Sequence, residues 1–304
     1  MNDYNTRMQK YEINEETSEE EVVETPRLTK WQKAIIIGVL ILILIIAYGI
    51  TVETKVFGNK EYKVESALIP SSFDGFKIVQ FSDIHYGTSI NKEEIKRIVS
   101  NINKLKPDIL VFTGDLVDKS VNLSEDNLNY LIEEFGKLDA KMYKFAIYGD
   151  DDYHNDYYKD ILDKSGFILL NNETKLIYYE GNTPILISGF STIDTNPDYS
   201  ILNKDINGIQ VNGLYKIVLT HQTNSIDELM NYSPSLILGG DTLGGLVNII
   251  RPIFINKDSN KHYKEYERIQ DTDIYVSNGL GTNNIQLRLN NYPSFNLFRL
   301  YNKS

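Results

Sequence analysis

The chain of 304 residues contains no cysteine, one tryptophan and four histidines. The absence of cysteine excludes disulfide bonds, a thiolate nucleophile and a cysteine-ligated zinc site. Basic residues are also fewer than acidic ones: the chain has 31 Lys and Arg and 42 Asp and Glu, which gives a net charge of -11. Nucleic-acid binding needs a basic surface, so we expect no nucleic-acid partner.

Charge of either sign is absent from residues 34–52, a stretch of Ile, Leu, Val, Gly, Ala, Tyr and Thr. It approaches the length of about 20 apolar residues that cross a bilayer. Because no small-residue cleavage pattern follows, we interpret it as a retained signal anchor rather than a cleaved signal peptide. Arg27, Lys30 and Lys33 directly precede the stretch, which favours a cytoplasmic N-terminus. The prediction is a single-pass protein of the cell membrane with its large domain outside the cytoplasm.

These features divide the chain into three parts. Residues 1–33 are rich in glutamate and poor in apolar residues, which predicts a disordered, acidic cytoplasmic tail. Residues 34–52 form the transmembrane anchor. Residues 53–304 are long enough to build one globular domain with a substantial core.

The apolar pattern of the large domain predicts an α/β fold. Helical spacing indicates helices at 91–106 and 124–138. Strands are predicted at 62–69, 77–81, 109–113, 143–148, 167–170, 175–179, 185–188, 215–220, 235–238, 246–250, 273–277 and 295–300. This order suits two sheets flanked by helices, with 196–213 and 252–269 as long connections at the rim of a cleft. His262, among polar neighbours in the second connection, is predicted to lie at the surface.

Two motifs place ligand side chains where apolar strands end. Asp83-x-His85 follows the strand 77–81, and the period of two points both side chains to the same side. Asp115, in Gly-Asp-x-x-Asp up to Asp118, follows the strand 109–113. A helix between two strands makes a crossover whose loops lie at one sheet edge, so these ligands can converge. The sequence therefore predicts a metal site there.

With these motifs the chain resembles the calcineurin-like metallophosphoesterases, in particular the membrane-anchored branch that hydrolyses phosphoesters outside the cytoplasm. The remaining family blocks fall at 149–152, at His221, at 240–245 and at 276–282. The resemblance covers roughly three quarters of the chain. It implies two mixed β-sheets packed as a sandwich flanked by helices, in four layers, and a site for one or two divalent metal ions.

The resemblance also implies a metal-ligand set that departs from the family pattern. One metal would take Asp83, His85 and Asp115, with Leu243 in place of its last histidine. The other would take Asp115, Asp150 in place of Asn, His221, and Asp241 in place of His. Carboxylate oxygens suit hard cations, so we expect Mn²⁺ or a similar ion.

A further departure concerns the leaving group, where the family keeps a histidine and this chain has Asp151. An aspartate with its usual pKa of about 3.9 is ionised near neutral pH and repels a phosphate. His154, three residues on, is the other candidate proton donor. The added carboxylates also neutralise the metal charge that would stabilise a phosphoester, which predicts reduced or altered activity.

Two hypotheses of function remain open. The first is a membrane-anchored phosphoesterase, whose substrate could be a lipid-linked or cell-envelope phosphoester because the site would lie near the bilayer. The second is a catalytically inactive protein that keeps the fold to bind a ligand or a partner. The retained metal ligands favour the first hypothesis. Asp151 and Leu243 favour the second.

Overall fold

A computed structural model describes residues 27–153, 155–191, 197–248, 252–253, 261–282 and 285–303. The tail 1–26 and His154 lie outside the described residues, so the interpretations of both stay predictions. Contacts divide the chain into two compact units, Met1–Ile43 and Leu44–Ser304.

The N-terminal helix α1 spans Lys30–Thr51 and begins four residues before the uncharged stretch. It begins there because Thr29 and Gln32 cap each other. The Gln32 backbone N–H donates to Thr29 Oγ1 at 3.2 Å, and the Thr29 N–H donates to Gln32 Oε1 at 2.9 Å. The span Lys30–Lys55, which is the helix and the turn after it, contains an 18-residue window with a mean hydropathy of 3.0, so it is long and apolar enough to cross a membrane.

The other helices and the strands follow in chain order. The helices are α2 (Lys92–Leu105), α3 (Glu125–Gly136), α4 (Tyr157–Lys164) and α5 (Ile226–Leu229). The strands are β1 (Gly58–Ser66), β2 (Lys77–Phe81), β3 (Ile109–Phe112), β4 (Tyr143–Ala146), β5 (Ile168–Leu169), β6 (Glu173–Ile177), β7 (Ile185–Phe190), β8 (Lys216–Thr220), β9 (Leu236–Gly239), β10 (Val247–Asn248), β11 (Pro252–Ile253), β12 (Tyr266–Ile269), β13 (Thr272–Val276) and β14 (Ser294–Asn302).

These strands form two six-stranded mixed sheets. The first has the order β1-β14-β2-β3-β4-β5, in which β14 runs antiparallel to β2 and the other pairs are parallel. The second has the order β12-β13-β9-β8-β7-β6, with antiparallel pairs at its two edges. A short β10-β11 hairpin stands apart. The prediction of two mixed sheets with flanking helices and one apolar N-terminal helix is confirmed.

Successive side chains along the buried strands pack into different hydrophobic clusters, which shows how the sheets and helices are layered. In β3, Ile109 and Val111 belong to the core between the two sheets, while Leu110 and Phe112 pack with residues of α2 and α3. In β8, Ile217 faces the same inter-sheet core and Val218 the outer cluster that contains α5. Because successive strand residues point to opposite faces, each sheet is covered on both sides.

Four of the described helices and strands were missed by the sequence patterns, namely α4, α5, β11 and β12, and the last two lie in the predicted connection 252–269. In addition, His262 is not at the surface but 3% exposed. Its Nδ1 contacts Glu267 Oε1 on β12, and its Nε2 lies 3.3 Å from Asp227 Oδ1 on α5. The surface prediction failed because the polar run around His262 gives no sign of the contact with Asp227, which is 35 residues away in sequence.

Candidate metal centre

The candidate site lies where the carboxyl ends of parallel strands from both sheets meet. Asp83 follows β2, Asp115 follows β3, and the acidic run 150–152 follows β4. From the second sheet, His221 directly follows β8 and Asp241 follows β9. A parallel arrangement brings these loops to one edge, which is why side chains far apart in sequence converge.

Asp83, Asp115 and His221 form the buried centre of the site. Their ligand atoms all lie within 4.8 Å of one another, and His221 Nε2 is 3.3 Å from Asp115 Oδ2. His221 Nδ1 lies 2.6 Å from the Thr113 carbonyl oxygen. Donation to this carbonyl leaves Nε2 as the ligand nitrogen, the usual arrangement of a metal-bound histidine. Asp83 Oδ2 and His221 Nε2 are buried without a hydrogen-bond partner among the described residues, which fits a cation held between them.

His85 belongs to a second, adjoining group with Asp118 and Asp151. Its Nδ1 is 3.2 Å from Asp151 Oδ2 and 4.0 Å from Asp118 Oδ2. Its Nε2 is 3.8 Å from Asp115 Oδ2, so Asp115 stands between the two groups. Of the predicted first-metal ligands, the structure therefore brings Asp83 and Asp115 into one group, while His85 approaches from the other.

The remaining predicted residues surround this centre. Asp150 accepts hydrogen bonds from Gln222 Nε2, with both carboxylate oxygens at 2.6 Å. The Asp241 backbone N–H donates to Asp83 Oδ1 at 3.2 Å. Leu243, where the family has a ligand histidine, is 1% exposed, and a Cβ added at Gly279 would lie 2.2 Å from its Cδ2. Leu243 thus fills a packed position close to Asp83.

Asp152 is a site residue to which sequence reasoning gave no role. Its carboxylate accepts the backbone N–H groups of Asp115 at 2.7 Å, Leu116 at 2.9 Å and Gly149 at 2.9 Å. Burial and the Asp115 carboxylate raise the pKa of Asp152 to about 7. Asp152 therefore holds the loop that presents Asp115. Its position directly after Asp150 and Asp151 was the available signal.

The site loops adopt left-handed backbone conformations that favour glycine. The non-glycine residues with positive φ in these loops are Asp83 (53°), His85 (47°), Asp115 (62°), Asp241 (64°) and Leu243 (53°). Such conformations cost free energy and persist only where the surrounding structure holds them. Their concentration at one edge of the sheets is typical of a functional site.

The electrostatics of the site favour positive charge at its centre. Burial raises the pKa of Asp83 to about 6. Burial alone would lower the pKa of His85, but the carboxylates of Asp151 and Asp115 outweigh it and raise that pKa to about 9. Burial raises the pKa of Asp115, yet His221 outweighs this and holds it below its usual range. A divalent cation would supply the same positive charge, so the donor set fits a metal ion.

The fold and this carboxylate–imidazole cluster define an α/β protein with a candidate metal centre, and comparison of sequences identifies its family. Residues 76–245 match the calcineurin-like phosphoesterase family. The chain belongs to this family, whose members bind divalent metals and hydrolyse phosphoesters.

Several relatives support the assignment. An uncharacterized metallophosphoesterase of Bacillus subtilis (strain 168) is 30% identical, over 83% of this chain and 88% of its own. A transmembrane protein with a metallophosphoesterase domain from Danio rerio is 24% identical, over 84% of this chain and 60% of its own. The UDP-2,3-diacylglucosamine pyrophosphatase LpxG of Chlamydia trachomatis is 24% identical, over 68% of this chain and 78% of its own.

Proposed function

We propose that this chain is a membrane-anchored phosphoesterase that depends on divalent metal, Mn²⁺ or a similar ion, in one or two sites. The observation that carries the proposal is the pair of buried, unpartnered ligand atoms, Asp83 Oδ2 and His221 Nε2, beside Asp115. Asp115 would be shared, and His85, Asp150 and Asp241 complete the proposed ligand set. Buried polar atoms without partners cost free energy, so their convergence points to a bound cation.

Bound metal would polarise the phosphoryl oxygens and lower the pKa of a water molecule that attacks phosphorus. The protein residues orient these groups. Thr113 fixes the His221 tautomer, and Asp152 holds the backbone N–H groups of Asp115 and Leu116. Asp151 takes the place of the family histidine, and its backbone N–H donates to Asp115 Oδ1 at 2.9 Å.

We propose that activity is reduced or altered relative to the family pattern. Asp151 lies beside His85 and accepts the Lys119 backbone N–H at 3.3 Å, so its carboxylate is engaged with neighbouring groups at the position where the family pattern has a proton-donating histidine. The alternative function is a catalytically inactive ligand- or partner-binding module. The observation in its favour is Leu243, an apolar side chain packed where the family has a ligand.

We also propose a lipid-linked or cell-envelope phosphoester as the substrate, with the large domain, 53–304, outside the cytoplasm. A cavity of about 520 Å³ is lined by Ile45 and Tyr48 of α1 together with Leu289, Asn290 and Tyr292. Asn290 and Tyr292 also line a second cavity of about 320 Å³, whose wall includes Lys60, Lys264 and Glu265. An apolar groove beside a candidate membrane helix that adjoins a cavity with charged side chains in its wall suits an amphiphile. The name of LpxG describes a pyrophosphatase of a diacylated sugar nucleotide.

The decisive experiment combines metal analysis with turnover. The full-length chain, purified in detergent, should contain Mn²⁺ after loading and should hydrolyse a water-soluble aryl phosphodiester. A long-chain lipid phosphoester in the same micelles should be hydrolysed with the higher kcat/KM. Metal binding without turnover of either substrate would favour the binding module, and absence of metal binding would exclude both the metal site and the phosphoesterase.

A further inference from the structure

Arg288 is a fully buried arginine whose charge is directed at backbone carbonyls rather than at an acid. Its side chain is 0% exposed. The guanidinium donates to the carbonyl oxygens of Asn278 at 2.7 Å, Gly279 at 3.2 Å, Asn291 at 3.0 Å and Gly281. Burial lowers the pKa of Arg288 to about 10, which still leaves it charged at neutral pH. The two terminal nitrogens of the guanidinium thus bind four carbonyl groups, while Nε is buried without a hydrogen-bond partner among the described residues, so this one side chain links the backbone segments around it.

The segment that Arg288 holds, 278–281, lies against the proposed ligand Asp83. The Gly281 N–H donates to the Asp83 carbonyl oxygen at 2.6 Å, and the Leu280 N–H donates to that of Ser82 at 3.0 Å. A Cβ added at Gly279 would lie 3.0 Å from Asp83 Cβ. Movement of this segment would therefore move Asp83.

Arg288 is also in contact with the end of α1. Its backbone N–H donates to the Gly49 carbonyl oxygen at 3.3 Å. Gly49 is buried, and a Cβ added there would lie 2.6 Å from the Arg288 carbonyl oxygen and 2.7 Å from side-chain atoms of Leu287 and Leu289. Real Cβ atoms do not approach backbone this closely, so any larger residue at Gly49 must displace residues 287–289.

A second set of hydrogen bonds also links the end of α1 to the site loops. Glu53, just after α1 and 7% exposed, accepts the Asn291 backbone N–H at 2.7 Å. The Asn291 side chain donates to the carbonyl oxygens of Leu243 at 2.7 Å and Gly245. Leu243 and Gly245 belong to the loop that carries Asp241. The end of α1 is thus joined to both loops that border Asp83.

We propose that Arg288 is a positioning residue that couples the end of the membrane helix to the metal centre, so that the centre keeps its metal-binding geometry only while Gly49 and Glu53 are in place. The last turns of α1 would then be part of the catalytic unit rather than only an anchor. This inference rests on the proposed function, because it takes the centre to bind metal.

The test compares two glycine substitutions in the same helix of the full-length chain in nanodiscs. Gly49→Ala must displace residues 287–289, whereas a Cβ at Gly38 would meet nothing within 4 Å among the described residues. Alanine favours helix at both positions by up to about 1 kcal/mol, so helix loss cannot explain a defect. We expect Gly49→Ala to weaken the Mn²⁺ Kd at least about tenfold, a shift of about 1.4 kcal/mol, with Gly38→Ala unchanged. Equal Mn²⁺ affinity in both variants and wild type would overturn the proposal.

Substitution of Arg288 itself provides a second readout. Arg288→Met removes all the side-chain N–H groups that donate to the carbonyl oxygens, and Arg288→Lys keeps the charge and some N–H donors, so Mn²⁺ affinity should fall in the order wild type, Lys, Met. Leu202→Ala is the control for lost stability, because Leu202 is buried in the outer cluster with Leu186 and Ile226, away from the site loops. It should lower the melting temperature without changing the Mn²⁺ Kd. If Arg288→Met fails to fold, Asn291→Ala takes its place.

The outcomes separate this inference from the proposed function. If wild type binds no Mn²⁺, the proposed function is refuted, whatever the variants do. If wild type binds Mn²⁺ and the variants Gly49→Ala, Arg288→Lys and Asn291→Ala bind it equally well, the proposed coupling is refuted and the proposed function stands.

Discussion

Single residues at the site combine chemistry with unusual backbone geometry. His221 is fully buried, its Nδ1 faces the Thr113 carbonyl and its Nε2 faces Asp115. In Asp83, by contrast, one carboxylate oxygen accepts a hydrogen bond from the Asp241 backbone N–H, and the other has no hydrogen-bond partner among the described residues. In each side chain one polar atom is held by a backbone group and the other points into the site, as is usual for side chains that bind a metal ion.

The first prediction concerns the metal ligands. His221→Ala and Asp115→Ala should lower Mn²⁺ content and reduce the rise in melting temperature on adding Mn²⁺, because an ion that binds only the folded state stabilises it. At 100 times Kd this stabilisation is about 2.7 kcal/mol. Metal analysis and thermal unfolding with and without Mn²⁺ provide the measurement. His262→Ala is the matched control, since that histidine is also buried but contacts Asp227 and Glu267 instead. Metal content equal to wild type in Asp115→Ala would mean that these ligands are vestigial.

A second prediction concerns the residues that depart from the family pattern. The quadruple variant Asp151→His, Leu243→His, Asp150→Asn, Asp241→His should add a ligand and a proton donor and return positive charge to the centre. General acid catalysis is commonly worth 10² to 10⁴, so we expect at least about tenfold higher kcat/KM on an aryl phosphodiester with Mn²⁺. A folded, metal-binding variant without this gain would place the defect elsewhere in the cleft. Faster turnover by wild type would refute the charge argument.

At the scale of elements, the ends of β3 and β4 approach each other closely enough to exclude side chains. A Cβ added at Gly149 would lie 2.2 Å from Asp115 Oδ1 and 2.4 Å from the Asp115 backbone nitrogen. The Asp152 carboxylate joins the same two loops through three backbone N–H groups. The presentation of Asp115 thus depends on how two neighbouring loops pack, as well as on the strand before it.

The third prediction tests this packing. Gly149→Ala must displace Asp115, so we expect Mn²⁺ binding to weaken at least about tenfold. This loss of affinity corresponds to roughly 1.4 kcal/mol of binding free energy, and displacing a metal ligand readily costs more. Gly136→Ala, in α3, is the control because an added Cβ there meets nothing within 4 Å among the described residues. Calorimetric titration of each variant with Mn²⁺ provides the comparison. Unchanged affinity in Gly149→Ala would show that the loops adjust around the new methyl group.

At the scale of the whole molecule, the candidate membrane helix and the globular unit share residues. The compact unit Leu44–Ser304 includes the last turns of α1, and Gly49 is buried within it. Residues 34–52 carry no charge, and the span Lys30–Lys55 that contains them is long and apolar enough to cross a membrane.

The fourth prediction concerns topology. Protease added to spheroplasts should digest the region after Val52 and spare the N-terminal tail, because the basic cluster Arg27, Lys30 and Lys33 favours a cytoplasmic N-terminus. Immunoblots with tags at either end would report which part survives, and permeabilised spheroplasts would show that both parts are cleavable. Protection of the large domain in intact spheroplasts would reverse the proposed orientation.

The sequence by itself determined the family, the fold class, the apolar helix and the position of each motif along the chain. These are local properties: β2 matches its predicted bounds, and α2 begins at the capping pair Asn91 and Glu94. Only the tertiary structure decided that His85 faces Asp151 and Asp118, that Gln222 holds Asp150, that His262 is buried and that Arg288 joins Gly49 to the segment behind Asp83. The physical reason is that these contacts join parts of the chain that are distant in sequence, and their distances depend on how the strands, helices and loops pack, which no local spacing of residues encodes.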